Sequence, residues 1–343
     1  MSNQSLYRAY RPSTFSEVMG QEHITGPLAE QIASGKVAHA YLFAGSRGLG
    51  KTSVARILAK ELGVTSKDLY EIDAASHTGV DNIRELTAGV YTLPFESPYK
   101  VYLLDEAHML SKSAWNAFLK TLEEPPQHVI FILATTEADK VPETVRSRCQ
   151  VFEFRKPSRE GIIKLVEYIA KKEKYTLAPG VASLVALLSE GSYRDALSTL
   201  QKVFSASSDT KISREEAEKI TGAPRRALVA AFVLALSNGH KAAALEALHQ
   251  VVQEDFSMPL YLSLVLEYIR NVLLVRSAPE LRAAIMKEVD EDDFAEIAAL
   301  AEAKESKLTH TTLRLFLEAS AQLRFSPIPS LPLELALLEA LPE

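Results

Sequence analysis

The spacing of apolar residues predicts two regions with different secondary structure. Between residues 38 and 157, short apolar runs alternate with stretches of helical periodicity. The strand candidates are Ala40–Ala44, Leu69–Ile72, Val101–Leu104, Val129–Leu133 and Val151–Phe154. The third and fourth runs are almost wholly apolar, as expected for parallel strands that helices cover on both faces. This alternation predicts a doubly wound α/β domain with a parallel five-stranded sheet.

One helix of this region is defined by its periodicity. An amphipathic helix places apolar residues at i, i+3, i+4 and i+7, and this spacing is met by Trp115, Phe118, Leu119 and Leu122. Pro125-Pro126 marks the end of the pattern. We interpret Trp115, and the nearby His108, as packing residues rather than catalytic ones.

After residue 157 no strand candidate follows, and apolar residues recur with helical spacing. The proline-rich stretch 326–332 predicts an extended linker before a last short helix. We expect three domains: an α/β domain at 1–157, a small helical lid domain at 158–222, and a larger helical domain at 223–343.

Composition narrows the class of protein. Of 343 residues, 47% are hydrophobic and 24% are charged, which excludes collagen, a disordered chain and a disulfide scaffold. The single cysteine, Cys149, excludes an internal disulfide and a thiolate zinc cage. We find neither an apolar stretch of about 20 residues nor a signal peptide. The chain is therefore expected to be cytoplasmic, with no membrane contact.

The net charge of −6 is confined to residues 223–343, where 11 Lys/Arg face 17 Asp/Glu. The first two thirds of the chain are close to neutral and can present a basic face to a polyanion, because binding depends on local potential. Chance variation in composition explains the charge distribution equally well.

A phosphate-binding motif lies between the first strand candidate and a helical run. Gly45–Thr52 matches G-x-x-x-x-G-K-[ST], the P-loop, whose backbone N–H groups surround phosphates. Lys51 would reach the β- and γ-phosphates, and the Thr52 hydroxyl would ligate Mg²⁺. The predicted nucleotide-binding residues of this segment are Gly45, Arg47, Gly48, Leu49, Gly50, Lys51, Thr52 and Ser53.

A pair of carboxylates supplies the second half of the predicted site. Asp105 and Glu106 follow the buried strand Val101–Leu104, 54 residues after Lys51. A parallel sheet delivers the carboxyl ends of its strands to one edge, so these residues should meet the P-loop. Asp105 would hold Mg²⁺, while Glu106 would deprotonate the attacking water. ATP hydrolysis is predicted; the alternative is a solvated strand end.

The roles of three further residues depend on which groups lie next to them in the folded protein. Thr136 follows the strand Val129–Leu133 and would bring a hydroxyl beside the carboxylates. Arg148 is either a surface residue or an arginine finger for a neighbouring subunit. Arg194, at the start of a helix, either reaches the γ-phosphate or belongs to an ion pair within its helix.

Together these residues resemble the AAA+ clamp-loader ATPases, in particular the gamma/tau type of bacterial DNA polymerase III, over nearly the whole chain. The resemblance implies that Thr136 is sensor 1, Arg194 is sensor 2 and Arg148 is an arginine finger acting in trans. It assigns adenine binding to an N-terminal segment that includes Tyr10, Arg11, Pro12, Val18 and Met19. The C-terminal helices would be the collar of a pentameric ring.

The activity that this resemblance implies is ATP-driven opening of the sliding clamp and its loading onto primer–template DNA. The implied partners are delta- and delta-prime-type loader subunits, the clamp and DNA, with Arg84, Lys112 and Lys120 as candidate phosphate contacts. Most relatives carry a four-cysteine zinc module after the P-loop helix. Here only Gly63–Asp68 connects the two elements, so zinc is not expected. The long C-terminal tau-type extension is also expected to be absent.

Two other functions fit the same fold. A non-hydrolysing clamp-loader stator would lack the P-loop lysine or the carboxylate pair, which are both present. Another AAA+ motor, such as a branch-migration helicase or a protein remodeller, would usually carry pore-loop aromatics or a winged-helix end. Residues 223–343 show helical patterns without a β-wing.

Overall fold

A computed structural model describes residues 4–76, 79–289 and 291–341, without the side chains of Asp81, Asn82, Lys287, Glu288 and Asp292. The chain forms two compact units, whose limits are Met1–Leu165 with Ala186–Ser198, and Val166–Val185 with Thr199–Glu343. The division into three domains at residues 157 and 222 stays a prediction.

A parallel five-stranded sheet is the centre of the first unit. Its strands are β1 (Ala40–Ala44), β2 (Leu69–Asp73), β3 (Lys100–Asp105), β4 (Val129–Thr135) and β5 (Gln150–Glu153). They lie in the order β2-β3-β4-β1-β5, all in parallel pairs. Strands β1 and β4 are buried along their whole length. The predicted α/β fold and its five strands are therefore confirmed.

Helices cover both faces of this sheet. The helices of this part of the chain are α1 (Leu6–Ala9), α2 (Glu22–Ser34), α3 (Lys51–Glu61), α4 (Val80–Val90), α5 (Lys112–Glu123) and α6 (Glu143–Arg146). Apolar residues of α2 and α3 pack with one face, and those of α4, α5 and α6 pack with the other. Trp115 of α5 is 3% exposed, as its interpretation as a core residue requires.

The remaining helices begin with three that have residues in both units: α7 (Arg159–Lys172), α8 (Val181–Leu188) and α9 (Tyr193–Ala206). The others are α10 (Arg214–Thr221), α11 (Arg226–Ser237), α12 (Lys241–Gln253), α13 (Met258–Ser277), α14 (Arg282–Glu288), α15 (Glu291–Glu302), α16 (His310–Gln322) and α17 (Leu331–Ala340).

The expectation that strands end at residue 157 was wrong. A parallel pair forms between β6 (Thr176–Leu177) and β7 (Lys211–Ile212), and two-residue strands are too short to show an alternating pattern.

The second unit is built around α13, which packs against α11, α12, α15 and α16. Its 20 residues are long and apolar enough to cross a membrane, so the expectation that no such stretch exists was also wrong. Half of the most apolar part of α13 is buried within the protein. Tyr261, Val265 and Ile269 are buried in the apolar core of this unit, which is typical of the central helix of a bundle.

A buried aspartate anchors the short connector between α3 and β2. Asp68 is fully buried, and its carboxylate accepts hydrogen bonds from the backbone N–H groups of Phe95, Glu96 and Ser97 at 2.6, 3.0 and 2.9 Å. Burial alone would raise the pKa of Asp68, but these donors outweigh it and lower the pKa to about 2. The connector and the loop before β3 are thereby held together.

Replacing Asp68 with asparagine is expected to lower the free energy of unfolding by about 1–3 kcal/mol, because three backbone donors lose a charged acceptor. The contribution of Asp68 should be fully present above pH about 4 and should disappear as the pH falls towards about 2. Urea unfolding at several pH values measures both effects. The exposed Asp139→Asn variant is the matched control, and equal stability of the two variants at pH 7 would contradict the assignment.

Candidate nucleotide site

The P-loop joins β1 to α3 at the carboxyl edge of the sheet. Gly45, Gly48 and Gly50 have φ angles of 144°, 80° and 96°, a region that glycine adopts without steric cost. A Cβ atom at Gly48 would lie 1.9 Å from Oγ of Ser192, so the loop passes very close to the turn before α9. The turn at Gly48 is therefore restricted to a residue without a side chain.

Lys51 is the first residue of α3 and is only 6% exposed. Its Nζ donates hydrogen bonds to the backbone oxygens of Gly45 at 2.6 Å and Ser46 at 2.9 Å. Burial lowers the pKa of Lys51, whereas the nearby carboxylates of Glu106 and Asp105 raise it. The lysine thus lies within the P-loop and close to the carboxylate pair, as the sequence predicted.

Thr52 and Asp105 meet across the gap between α3 and β3. The Thr52 hydroxyl donates a 2.8 Å hydrogen bond to Oδ2 of Asp105. Mg²⁺ prefers hard oxygen ligands and usually takes only one or two from the protein, the rest being water and phosphate oxygens. Among the described residues, no group of three or more His, Cys, Asp and Glu side chains is placed to hold a metal. The Thr52 hydroxyl and the Asp105 carboxylate are hard oxygen donors, and their chemistry fits a Mg²⁺ ion that takes its other ligands from water and phosphate.

Glu106 follows directly after β3, with a backbone in the left-handed region at φ 49°. Its backbone N–H donates to the Asp105 carboxylate at 3.0 Å, and its Oε2 accepts a 3.0 Å hydrogen bond from Oγ1 of Thr136. The Glu106 carboxylate after β3 and the Thr136 hydroxyl after β4 are thereby brought together. This is the arrangement expected of a general base held by a neighbouring hydroxyl.

His108 has polar partners that the sequence interpretation did not foresee. Its side chain is 7% exposed, and Nδ1 lies 3.1 Å from Oγ1 of Thr135 and 3.5 Å from Oε2 of Glu106. Its Nε2 lies 3.3 Å from Oε1 of Glu137. The interpretation of His108 as a packing residue needs correction, because it lies between two carboxylates. Its position two residues after Glu106 was the only available signal.

Hydrogen bonds of Gln21 and Tyr193 help to attach the N-terminal segment before α2 to the rest of the first unit. Gln21 is fully buried, and its amide exchanges two hydrogen bonds with the backbone of Arg155, at 2.8 and 3.2 Å. The Tyr193 hydroxyl donates to the backbone oxygen of Met19 at 3.1 Å, and burial raises the pKa of Tyr193 to about 12. These contacts hold the predicted adenine-binding segment beside α9.

A cleft of about 1020 Å³ runs between this segment and the P-loop, within the first unit. That volume is at the upper end of the usual range for small-molecule sites. The predicted residues that line the cleft are Tyr10, Arg11, Pro12, Val18, Met19, Arg47, Gly48, Leu49, Gly50, Lys51, Thr52, Ser53, Asp105, Glu106 and Arg194. Of the predicted set, Gly45, Thr136 and Arg148 do not line it, although Thr136 bonds to Glu106.

Arg194 enters the cleft from the first turn of α9. Its guanidinium lies 5.4 Å from the centre of the Tyr7 ring, within the range of a cation–π contact. Tyr7 also lines the cleft and was missed by sequence reasoning, because a lone aromatic residue near the N-terminus has no motif around it. Across the cleft, Arg11 Nε donates to Oγ of Ser53 at 2.9 Å.

Arg148 lies elsewhere in the first unit. It follows α6, and its guanidinium contacts Glu123 and the backbone oxygen of Thr144. It does not line the nucleotide cleft of its own chain. The geometry therefore brings together the predicted P-loop, carboxylates, Thr136 and Arg194, and it leaves Arg148 outside that group.

Comparisons with known sequences show which proteins this chain is similar to. A family profile described as "DNA polymerase III, delta subunit" matches residues 64–158, and one described as "DNA polymerase III subunits gamma and tau domain III" matches residues 212–342. The chain is 40% identical to DNA polymerase III subunit tau of Bacillus subtilis, across 87% of this chain and 56% of that protein. It thus spans little more than half the length of that relative.

DNA polymerase III subunit gamma of Buchnera aphidicola subsp. Schizaphis graminum is 33% identical across 100% of this chain and 99% of its own length. Among solved structures, the Thermotoga maritima RuvB Holliday junction branch migration motor has a TM-score of 0.53 at 19% identity, across 69% of this chain and 85% of that one. At this identity the likeness concerns the AAA+ fold alone. The match across the whole gamma subunit is the stronger finding, and the chain belongs to the DNA polymerase III gamma/tau family.

Proposed function

We propose that this chain is an ATP-hydrolysing clamp-loader subunit that helps to open a sliding clamp and load it onto primed DNA. The supporting observation is that one cleft gathers Lys51, Thr52, Asp105 and Glu106 in a member of the gamma/tau family. A stator subunit would not need these groups together. DNA polymerase III subunits are replication proteins, so we place its work in the cytoplasm.

ATP binding follows from the shape and charge of the cleft. The segment that includes Tyr10, Pro12 and Val18 would contact the base, and the P-loop N–H groups would surround the phosphates at the N-terminus of α3. Lys51 and Arg194 would bind the terminal phosphates through charge-assisted hydrogen bonds. Lys51 would exchange its bonds to the Gly45 and Ser46 oxygens for bonds to phosphate oxygens.

Hydrolysis would use the groups at the ends of β3 and β4. The Glu106 carboxylate would accept the proton of the attacking water, and Thr136 would fix the orientation of that carboxylate. Thr52 and Asp105 would hold Mg²⁺, which supplies charge neutralisation on the phosphates. Arg148, which lies outside its own cleft, would complete the site of a neighbouring subunit.

The partners proposed are delta- and delta-prime-type subunits in a pentameric ring, the sliding clamp and primer–template DNA. Arg84 on α4, with Lys112 and Lys120 on α5, are exposed basic candidates for contacts with DNA phosphates. Such contacts predict binding that weakens with salt and tolerates any sequence. No zinc is expected in this chain.

The proposal is tested by measuring ATP turnover of the chain with its loader partners, with and without a sliding clamp and primed DNA. Turnover should rise strongly only when clamp and primed DNA are both present, because the ring then brings arginine and nucleotide together. A rate that ignores the clamp would refute clamp loading, while a rate raised by branched DNA alone would favour a branch-migration motor.

A further inference from the structure

Two acceptors of its own chain engage the guanidinium of Arg148. Its Nη2 donates to Oε1 of Glu123 at 2.6 Å, and its Nη1 donates to the backbone oxygen of Thr144 at 2.6 Å. Glu123 is the last residue of α5, so the ion pair joins two elements that are 25 residues apart in sequence. The two side chains are 35% and 49% exposed, which leaves the guanidinium accessible to a ligand from outside the chain.

The carboxylate of Glu123 resembles, as a partner for Arg148, the phosphate group that Arg148 would contact in an assembly. A guanidinium binds carboxylate and phosphate oxygens in the same planar geometry, so a carboxylate competes directly with a phosphate for the same N–H groups. The Thr144 oxygen is uncharged and accepts a hydrogen bond from only one of the guanidinium nitrogens, Nη1. Glu123 is therefore the one charged competitor among the acceptors that contact Arg148 in the described residues.

We infer that Glu123 is a positioning residue for Arg148: it holds the guanidinium on its own subunit until the triphosphate at a neighbouring subunit replaces the carboxylate. This inference rests on the proposed trans role of Arg148. Partly exposed ion pairs are weak. Glu123 would therefore lower the apparent affinity of Arg148 for the neighbouring nucleotide by about two- to fivefold, and would not prevent the contact. A triphosphate carries more charge than one carboxylate and would displace it once the interface forms.

The test is Glu123→Gln, which keeps the size of the side chain and removes its charge. This chain is titrated into its loader partners with clamp and primed DNA, and ATP turnover is recorded. E123Q should reach half-maximal turnover at an about two- to fivefold lower concentration, with the same plateau. Glu124→Gln changes the exposed carboxylate next in the chain, and its titration curve should coincide with that of the wild type.

A second measurement separates this role from a structural one. ATP-dependent assembly is followed by sedimentation for E123Q, Arg148→Ala and the double variant. If Glu123 acts through Arg148, E123Q should shift assembly in the wild-type background and should change nothing when Arg148 is absent. A shift that persists without Arg148, a lowered plateau, or a titration identical to the wild type would overturn the inference.

These results also distinguish the inference from the proposal beneath it. Wild-type turnover by R148A would overturn the trans role of Arg148 and the inference with it. Loss of turnover in R148A, together with an E123Q titration unaltered from the wild type, would overturn the inference alone.

Discussion

Replacing Arg148 with alanine is expected to lower the clamp- and DNA-stimulated rate of ATP hydrolysis by about 10³–10⁵-fold, the range measured for arginine fingers in other phosphoryl-transfer enzymes. In the proposed trans role, the guanidinium would stabilise charge on the phosphate that is transferred at the neighbouring subunit. ATP binding by the isolated chain should be unchanged, because Arg148 does not line its own cleft. Stimulated turnover and binding of a fluorescent ATP analogue measure the two effects.

Mixing two inactive chains provides the control for action in trans. A chain with Lys51→Ala keeps its Arg148, and a chain with R148A keeps its P-loop lysine. Where the two stand side by side, the arginine of the first would complete the intact site of the second. The mixture should therefore regain part of the stimulated turnover, and a mixture as inactive as its components would contradict a trans role.

Replacing Glu106 with glutamine should slow ATP hydrolysis by about 10²–10⁴-fold while ATP binding is retained. The amide oxygen can still accept the hydrogen bond from Thr136, so the geometry after β3 is kept, but an amide cannot take the proton of the attacking water. Single-turnover hydrolysis and ATP binding measure the two steps. The variant should accumulate in the ATP-bound state.

Glu137→Gln is the matched control for this variant. Glu137 is the other carboxylate beside His108, it is 47% exposed, and its side chain also pairs with Lys140. It does not line the nucleotide cleft, so its loss should change hydrolysis little. Equal rates for the two glutamine variants would exclude Glu106 as the general base.

Most of the first unit could be predicted because its signals are local. Runs of consecutive apolar residues indicate that β1, β3 and β4 are buried. The P-loop is a contiguous motif between a strand and a helix. The β6–β7 pair was missed because two residues per strand carry no periodicity. The apolar character of α13 was missed because Glu267, Arg270 and Arg276 interrupt its run of apolar residues without ending the helix.

The site was predictable only as far as motifs define it. Lys51, Asp105 and Glu106 each follow a recognisable pattern, and the parallel pairing of both β1 and β3 with β4 brings the ends of these strands to one edge. The roles of His108 and Asp68 depend on contacts with residues some 27 to 29 positions away, which spacing along one element cannot reveal. The same applies to Glu123, whose partner is 25 residues away.

Helix α5 has a further consequence for how such subunits would work together. It starts a few residues after Glu106 and ends at Glu123, so a rod of about 18 Å separates the hydrolytic carboxylate from the anchor of Arg148. Trp115, Phe118 and Leu122 pack one side of this rod into the apolar core. In an assembled loader, α5 would therefore be the element that connects the hydrolytic carboxylate of one protomer to the arginine that this protomer offers to its neighbour.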